Sequence, residues 1–451
     1  MAIINIIQKN NLEGANRLDA EYYQPYYFEI LSSFHRISNC NLGQIANIAK
    51  RNFLKDVEIF EYIEIANVDL SLGLYDSQLI RSEDTPVRAK YVVKDGDVII
   101  STVRPHRNAV AFIESSVNTQ VCSSGFCVLN AKSVSKEFLF TFLKTKFVKD
   151  LLDRATTATM YPAVSETDIL RLPAFIPDKT LDNLVRNNFK ERRKLLGESK
   201  ELYSKAKKLL FNELEYGTLV LEKKLIYSAN LSSVIATNRM DAEYHQKRNM
   251  HIIEHLKRMN GVPLKKLVIS KITSGSTPAS ENAYSDANSG IRFIRANSMS
   301  GLQVSKNDMV FITPETHEGL LARSKVKPFD VLFSIAGTIG RCAVITEGFG
   351  EANINQALAI LRFDRKEINP YYAALFFTEG IGHEYVNFIS RPLAQANINL
   401  TELETVLLPK IDIAKQNEIG DLIVKSHLKL EDAKTALSNG TRKSEEFIQA
   451  L

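Results

Sequence analysis

An internal duplication constrains this chain more than any other feature. Arg17-Leu-Asp-Ala-Glu-Tyr-Tyr-Gln24 recurs as Arg239-Met-Asp-Ala-Glu-Tyr-His-Gln246, six identities in eight at an offset of 222. The apolar pairs Phe28/Met250, Ile30/Ile252, Leu31/Ile253 and Phe34/Leu256 keep that offset. Val93-Lys-Asp-Gly-Asp-Val-Ile-Ile-Ser101 then matches Val326-Lys-Pro-Phe-Asp-Val-Leu-Phe-Ser334 at 233, and Val164-Ser-Glu-Thr-Asp-Ile169 matches Ile398-Asn-Leu-Thr-Glu-Leu403 at 234. Pro177 and Pro409 close the copies at 232. Blocks in one order at drifting offsets mean a duplicated unit with loop insertions. A period above 200 residues is too long for a solenoid and implies two domains in tandem, within the range of about two to four that 451 residues allow.

A long proline-free helical pattern follows each copy. After Pro177, Leu181, Leu184, Leu195, Leu202, Leu209 and Leu214 mark the first stripe, and after Pro409, Ile419, Ile423, Leu430, Leu437 and Leu451 mark the second; no proline interrupts Lys179 to Glu213 or Ile413 to Leu451. Apolar residues near a 3.5-residue repeat seek a helical partner. The pattern predicts two helices of about 55 Å, packed as an antiparallel, coiled-coil-like rod joining the domains; the alternative is that each packs on its own domain. Each domain core reads as mixed α/β (α+β). Strands are predicted at Tyr62 to Val68, Val98 to Ser101 and Val110 to Glu114, and at Phe293 to Ala296, Val331 to Ile335 and Ala343 to Thr346. Helices are predicted at Ser135 to Leu152 and Asn369 to Phe388, N-capped by Ser135 and Asn369. The resulting division is 1–178 for the first domain with its N-terminal segment, 179–217 for the central helix, 218–260 for the linker and repeated segment, 261–411 for the second domain, and 412–451 for the C-terminal helix.

Composition excludes several classes. At 45% hydrophobic and 24% charged residues the chain is neither largely disordered nor built of membrane spans, because no apolar run approaches the roughly 18 residues a span needs. Met1 to Lys9 lacks the basic start of a signal peptide, and four cysteines in 451 residues make no disulfide framework, so a cytoplasmic location is expected. The net charge of +5 permits nucleic-acid binding. Lys179 to Glu213 holds ten Lys/Arg against five Asp/Glu, while Asp412 to Leu451 holds six against seven.

Catalytic signatures are weak. His251-Ile-Ile-Glu-His255 spells a zinc-peptidase pattern, but the first copy has Glu29 and Ser33 there, so the segment reads as an amphipathic helix with its polar residues facing water. Asn369-Pro-Tyr-Tyr372 approaches an amino-methyltransferase loop, yet Asn-Pro is what helix capping alone selects. Cys122 and Cys127 lack a second pair and read as core. Glu222-Lys-Lys224 is a nuclease-like tail without a nearby partner. No phosphate loop is present, since no Gly-Lys-Ser/Thr occurs.

The loops carry residue types that touch DNA: Arg reads guanine, and Asn or Gln reads adenine, through paired hydrogen bonds. Arg104-Pro-His106-Arg107-Asn108 follows a strand in the first copy, and Gly337-Thr-Ile-Gly-Arg341 follows its counterpart in the second. Further candidates are Arg51 and Asn52; Thr273, Ser274, Gly275 and Thr277; Arg292, Arg295 and Asn297; and Gln395 and Asn397. A shared scaffold with different loops suits two recognition units for two different half-sites.

The duplicated R-[LM]-D-A-E-Y segment, the proline that closes each domain before a long helix, and the Ser274-Gly-Ser-Thr-Pro278 and Ala336-Gly-Thr-Ile-Gly-Arg341 stretches resemble the specificity (S) subunit of type I restriction-modification systems. The resemblance covers essentially the whole chain. It is closest in the second copy, with Asn397-Ile-Asn399 and Lys415-Gln-Asn-Glu-Ile419; the first has Lys179-Thr-Leu-Asp182 at its helix start and no G-x-T-P loop. The resemblance implies a non-catalytic DNA-binding subunit with two target-recognition domains. Each would read one half of a bipartite, asymmetric site, with the helical rod setting the spacing. It also implies two methyltransferase (M) subunits carrying S-adenosylmethionine, and restriction (R) subunits using ATP and Mg, with no cofactor in this chain. The competing expectation is a two-domain scaffold for protein partners that binds no DNA.

Overall fold

The computed structural model describes residues 6–8, 12, 18–37, 40–156, 161–219, 226–237, 239–306, 309–390 and 397–450, the side chains of 233 and 236 excepted. The chain divides into two compact units, Met1–Gly197 with Lys429–Leu451, and Glu198–Leu428. Each is mixed α/β.

In the first unit, one four-stranded sheet has the order Ala46–Ile48, Phe126–Ala131, Val98–Ser101, Val110–Phe112, all antiparallel. A second has the order Gln78–Arg81, Ile59–Ile63, Gln120–Ser123, Ala89–Val93, with Ile59–Ile63 parallel to Gln120–Ser123. The second unit repeats the first of these sheets as Thr273–Ser274, Leu358–Leu361, Val331–Ser334, Cys342–Val344. It also repeats the parallel pair, as Ile291–Ile294 with Ala352–Ile354, flanked by Val310–Ile312 where the first unit has Gln78–Arg81. The strand Ala89–Val93 shrinks there to one bridge, Lys325 to Asn353, and the sheet gains Tyr284–Ser285 instead. Two-residue and three-residue ladders close the units in the same way, Cys40–Asn41 on Pro173–Ala174 and Gly261–Pro263 on Leu407–Pro409.

The local chemistry repeats too. Ser165 and Asp168 form a capping box at the helix Glu166–Arg171, and Asn399 and Glu402 form its equivalent, 234 residues on, at Leu400–Thr405. Ser135 caps Lys136–Leu143 by accepting from Phe138 N–H, and Asn369 caps Pro370–Thr378 by accepting from Tyr371 and Tyr372 N–H. Both predicted long helices break, however. The first continues as a separate helix, Lys146–Ala155, because Thr145 accepts from Val148 N–H as a new cap while its hydroxyl donates to Phe142 O. The second continues as Gly380–Ile389, because Gly380 takes φ +55°. The strand expected over Tyr62 to Val68 stops at Ile63, where Asn67 and Glu64 cap a 3-10 turn, Ile65–Asn67.

The long helices run over Lys179–Glu213 and Ile413–Gln449. Within the first unit Leu195 and Leu196 cluster with Ala433, Leu430 and Leu72, while Leu181, Val185 and Phe189 share a core with Leu437 and Ile448. Within the second, the Ser199 hydroxyl donates to Ser426 O and the Ser426 hydroxyl to Ser199 O, both at 2.9 Å, and Ala206, Leu210 and Leu214 share a core with Ile419 and Ile423. Residue numbers rise along one helix as they fall along the other in both units, so the pairing is antiparallel. Both expectations therefore hold at once: the helices pack on each other, and each unit's portions complete its own core. Among the described residues, no helix is long and apolar enough to cross a membrane.

Several polar residues have structural roles. His255 is buried, not water-facing: its Nε2 is 2.7 Å from Leu214 O, and Arg258 donates to its Nδ1 at 2.9 Å. An amphipathic helix can bury a polar residue where both ring nitrogens find partners. Tyr372 donates to Pro409 O at 2.7 Å from a fully buried position. Cys122 and Cys127 are buried in the sheets, and burial pushes both thiols up to about 12. Glu222 to Lys224, like Arg17 of the first repeat, lies outside the described residues.

Candidate nucleic-acid interface

In the second unit the parallel strands end together. Ile294 stands opposite Ile354, and Asn355 N–H donates to Ile294 O at 3.0 Å, so the next residues, Arg295 on one strand and Asn355-Gln356 on the other, emerge side by side. Gly275 brings a third segment to the same end. A Cβ there would lie 1.7 Å from Ile354 O, so only glycine lets the loop after Thr273–Ser274 pass. Two residues on, the Thr277 hydroxyl donates to Gln356 Oε1. A fourth segment is tied in by Ile335 N–H to Ala357 O at 2.9 Å and by a bridge between Ala336 and Asn397. Gly275, Thr277, Arg295 and Asn397 are thus gathered at one end, with exposed Asn297 in the turn Ala296–Ser298 that follows Arg295. Arg341 closes the adjoining loop, its carbonyl accepting from Ser334 N–H at 2.9 Å.

Other candidates in this unit are held elsewhere. Thr273 and Ser274 lie half-buried in the sheet ladder, opposite Ile360 and Ala359. Arg292, three residues upstream of Arg295, donates to Phe349 O at 2.9 Å with its guanidinium over the Phe349 ring, which commits it to a structural turn. Gln395 lies outside the described residues.

The first unit traces the same backbone. Ile63 stands opposite Cys122, and the chain continues into Glu64 on one strand and Ser123-Ser124 on the other. Thr102 N–H to Gly125 O at 2.9 Å and the Val103–Ala163 bridge reproduce the Ile335–Ala357 and Ala336–Asn397 contacts. The loop then passes through two left-handed residues, Arg104 at φ 50° and Asn108 at φ 52°, where the second copy has Gly337 and Gly340, both at φ 78°. Asparagine enters this conformation readily, but arginine is strained there, and such strain concentrates at functional sites. Arg104, His106 and Arg107 are exposed on the turn Pro105–Arg107. Asn108 points its amide at Lys144 O, 3.3 Å away, and so serves the scaffold.

Arg51 and Asn52 do not join this group. Arg51 forms a two-pronged ion pair with buried Asp97, at 2.7–3.1 Å, and exposed Asn52 bridges Tyr91 at a sheet edge. The basic surplus of the first long helix is also smaller on the surface than its sequence implies. Arg192 is buried against the Phe140 and Phe189 rings, donates to Leu72 O at 2.6 Å, and burial pushes it down to about 10. Nearby Lys144 donates to Leu70 O at 2.5 Å, and burial pushes its ammonium down to about 8.

The residues missed from sequence are Gln356, Asn355, Glu64 and Ser124. Their positions follow from the repeat, since Ser124 and Gln356 are 232 apart, but only the parallel pairing shows which residues emerge next to each other. Among the described residues, no group of three or more His, Cys, Asp or Glu side chains is placed to hold a metal ion.

No protein-family model matches the chain. Over 136 residues it is 29% identical to the specificity subunit of the type I restriction enzyme EcoBI of Escherichia coli, spanning 30% of this chain and 28% of that protein. Over 147 residues it is 26% identical to the HindI specificity subunit of Haemophilus influenzae, spanning 31% of each. The chain thus matches less than a third of the length of either relative. Among solved structures, the HsdS subunit from Thermoanaerobacter tengcongensis covers 91% of this chain and 94% of its own, at 18% identity and a TM-score of 0.32. The S subunit of a type I system from M. genitalium covers 90% and 94%, at 12% identity and a TM-score of 0.35. The curated relatives of this chain are specificity subunits of type I restriction enzymes, the family its duplicated sequence resembles.

Proposed function

We propose that this chain is the DNA-recognition specificity subunit of a type I restriction-modification complex, reading a bipartite, asymmetric duplex site. The observation that carries this reading is the pair of loop-bearing ends. They share one backbone path, down to left-handed residues at matching positions, yet carry Arg104, His106 and Arg107 in one unit and Thr277, Arg295, Asn297 and Asn397 in the other. A duplicated scaffold that keeps its frame and changes its exposed loops suits two ligands of one class and different sequence. Arg, Asn and Thr suit phosphate and base contacts.

On this reading residues 1–178 and 261–411 each recognise one half-site, and the helices over 179–217 and 412–451 set the spacing. The chemistry belongs to partners in the cytoplasm: two methyltransferase subunits supply S-adenosylmethionine and modify adenine, and restriction subunits use ATP and Mg. The chain itself supplies no catalytic group. Affinity falls steeply with salt, because phosphate contacts release counterions.

Mapping N6-methyladenine across the source genome with and without this gene tests the proposal. The expected result is loss of one bipartite motif on deletion. Binding by purified full-length chain with no sequence preference would overturn it. The spacing role has its own test. Because Ser199 and Ser426 lock the helices in register, an insertion must be made in both. Seven residues in each lengthen the pair by about 10.5 Å and should widen the untouched spacer by about three base pairs at 3.4 Å each; an unchanged spacer would refute it.

A further inference from the structure

Each parallel strand pair delivers one side chain from either strand to the same end of its unit. In the first unit these are Glu64 and Ser124; in the second, Gln356 and the half-buried Arg295. The positions are equivalent: Glu61 opposite Gln120 corresponds to Arg292 opposite Ala352, so 64 corresponds to 295 and 124 to 356. Their chemistry is not. One unit offers a hydroxyl and the second oxygen of a carboxylate that also caps the turn Ile65–Asn67, the other a guanidinium and a carboxamide.

The second unit also holds its groups in place. The Thr277 hydroxyl takes one lone pair of the Gln356 amide oxygen, which fixes the carboxamide while leaving its NH2 and a second lone pair available. Gly275 is what lets Thr277 reach it. Alongside, Arg295 Nε and Asn355 Oδ1 are buried atoms without a hydrogen-bond partner among the described residues. Native structures rarely leave such groups unsatisfied, and a donor and an acceptor orphaned at the strand ends that carry the fixed amide are hydrogen-bonding capacity that a turn of either side chain presents to a ligand. An amide presenting donor and acceptor together matches adenine N7 and N6–H2; a guanidinium matches guanine O6 and N7; a carboxylate accepts from an exocyclic amine such as cytosine N4.

We infer that the residues at these two equivalent positions, Glu64 with Ser124 and Arg295 with Gln356, are base readers, and that they are one source of the difference between the two half-sites. Gln356 selects adenine and Arg295 guanine in one half-site, while Glu64 selects a base bearing an exocyclic amine in the other. This rests on the DNA-recognition reading above and names the side chains that carry it.

The test is selection of a randomised duplex library by the full-length chain, followed by sequencing, for the wild type, Gln356→Ala and Ser124→Gln. Both substitutions are at exposed positions, and the unaltered half-site of each variant reports that the chain is folded. Gln356→Ala is expected to lose about tenfold discrimination at one adenine in one half-site and to leave the other half-site unchanged. Ser124→Gln is expected to alter a position in the opposite half-site alone. If the wild type selects a bipartite site and both variants select it unaltered, the inference is overturned while DNA recognition stands. If the wild type selects no sequence, DNA recognition itself fails and this assignment with it.

Discussion

Arg362 grips buried Asp330 with two hydrogen bonds of 2.6 Å, from Nε and Nη2 to the two carboxylate oxygens. Asp97, its counterpart 233 residues upstream, is equally buried but takes its arginine from a different place in the chain, Arg51. Asn130, near the position equivalent to Arg362, donates to Asp97 at 2.9 Å. The two copies have kept the carboxylate and exchanged the partner.

That exchange gives an asymmetric expectation. Removing one partner of a buried ion pair costs about 3–5 kcal/mol, because the remaining charge is left uncompensated. After Arg362→Met, Asp330 retains a backbone bond from Lys327 N–H; after Arg51→Met, Asp97 retains Lys94 N–H and Asn130 as well. Arg362→Met is expected to be the more destabilising by about 1.5–3 kcal/mol, the worth of a hydrogen bond to a charged group. Urea denaturation of both variants measures this, and equal losses would contradict it.

Lys144 should make stability depend on pH. Its folded value, about 8, lies below the ordinary lysine value of 10.5, and burial is the cause. Between these pH values the unfolded chain binds more protons than the folded one, so this residue's contribution to stability rises with pH. Cys122 and Cys127, raised to about 12, act in the opposite sense above the usual thiol range. The difference between the wild type and Lys144→Met cancels the cysteines. Lys144→Met should be the more stable protein at pH 7, with its advantage shrinking toward pH 10.5. A pH-independent difference would show that the buried ammonium is not the source.

Ser199 and Ser426 set how closely the long helices approach. Ser199→Leu is expected to cost about 1–3 kcal/mol through overpacking. The double replacement Ser199→Ala with Ser426→Ala should cost less than about 1 kcal/mol, because both hydroxyls are removed together and no donor is stranded. Chemical denaturation separates the two outcomes; a double alanine variant as unstable as the leucine variant would mean that the hydroxyls, not the spacing, hold the pair.

Arg104 should trade stability for binding. Its left-handed backbone costs about 1–2 kcal/mol, and glycine, present at the equivalent Gly337, removes that cost while adding about 0.5–1 kcal/mol of unfolded-state entropy. Arg104→Gly is expected to be more stable by about 0.5–1 kcal/mol and to bind duplex DNA more weakly. A loss of stability would show that the surrounding loop favours arginine for structural reasons.

Much of this architecture could be read from the chain alone. Offsets of 222 to 234 between repeated blocks correspond to equivalent strands, caps and helices, because a repeated local pattern imposes repeated local structure. The long helices were legible for the same reason: a sustained apolar period without proline leaves few alternatives. The breaks at Thr145 and Gly380 were not, since the apolar pattern continues through both and only a new cap or a left-handed glycine interrupts the helix.

What the tertiary structure alone decided was which side chains meet. Arg192 counts as surface charge in a linear tally, yet two phenylalanine rings and a loop carbonyl enclose it. Arg51 and Arg292 resemble DNA-reading residues, yet Asp97 and Phe349 hold them. Gln356 carries no signal of its own until two parallel strands end side by side and a glycine admits Thr277. Periodicity and capping are properties of neighbours along the chain, so sequence determines them; ion pairs and binding surfaces depend on segments brought together from far apart, and only the folded chain specifies those partners.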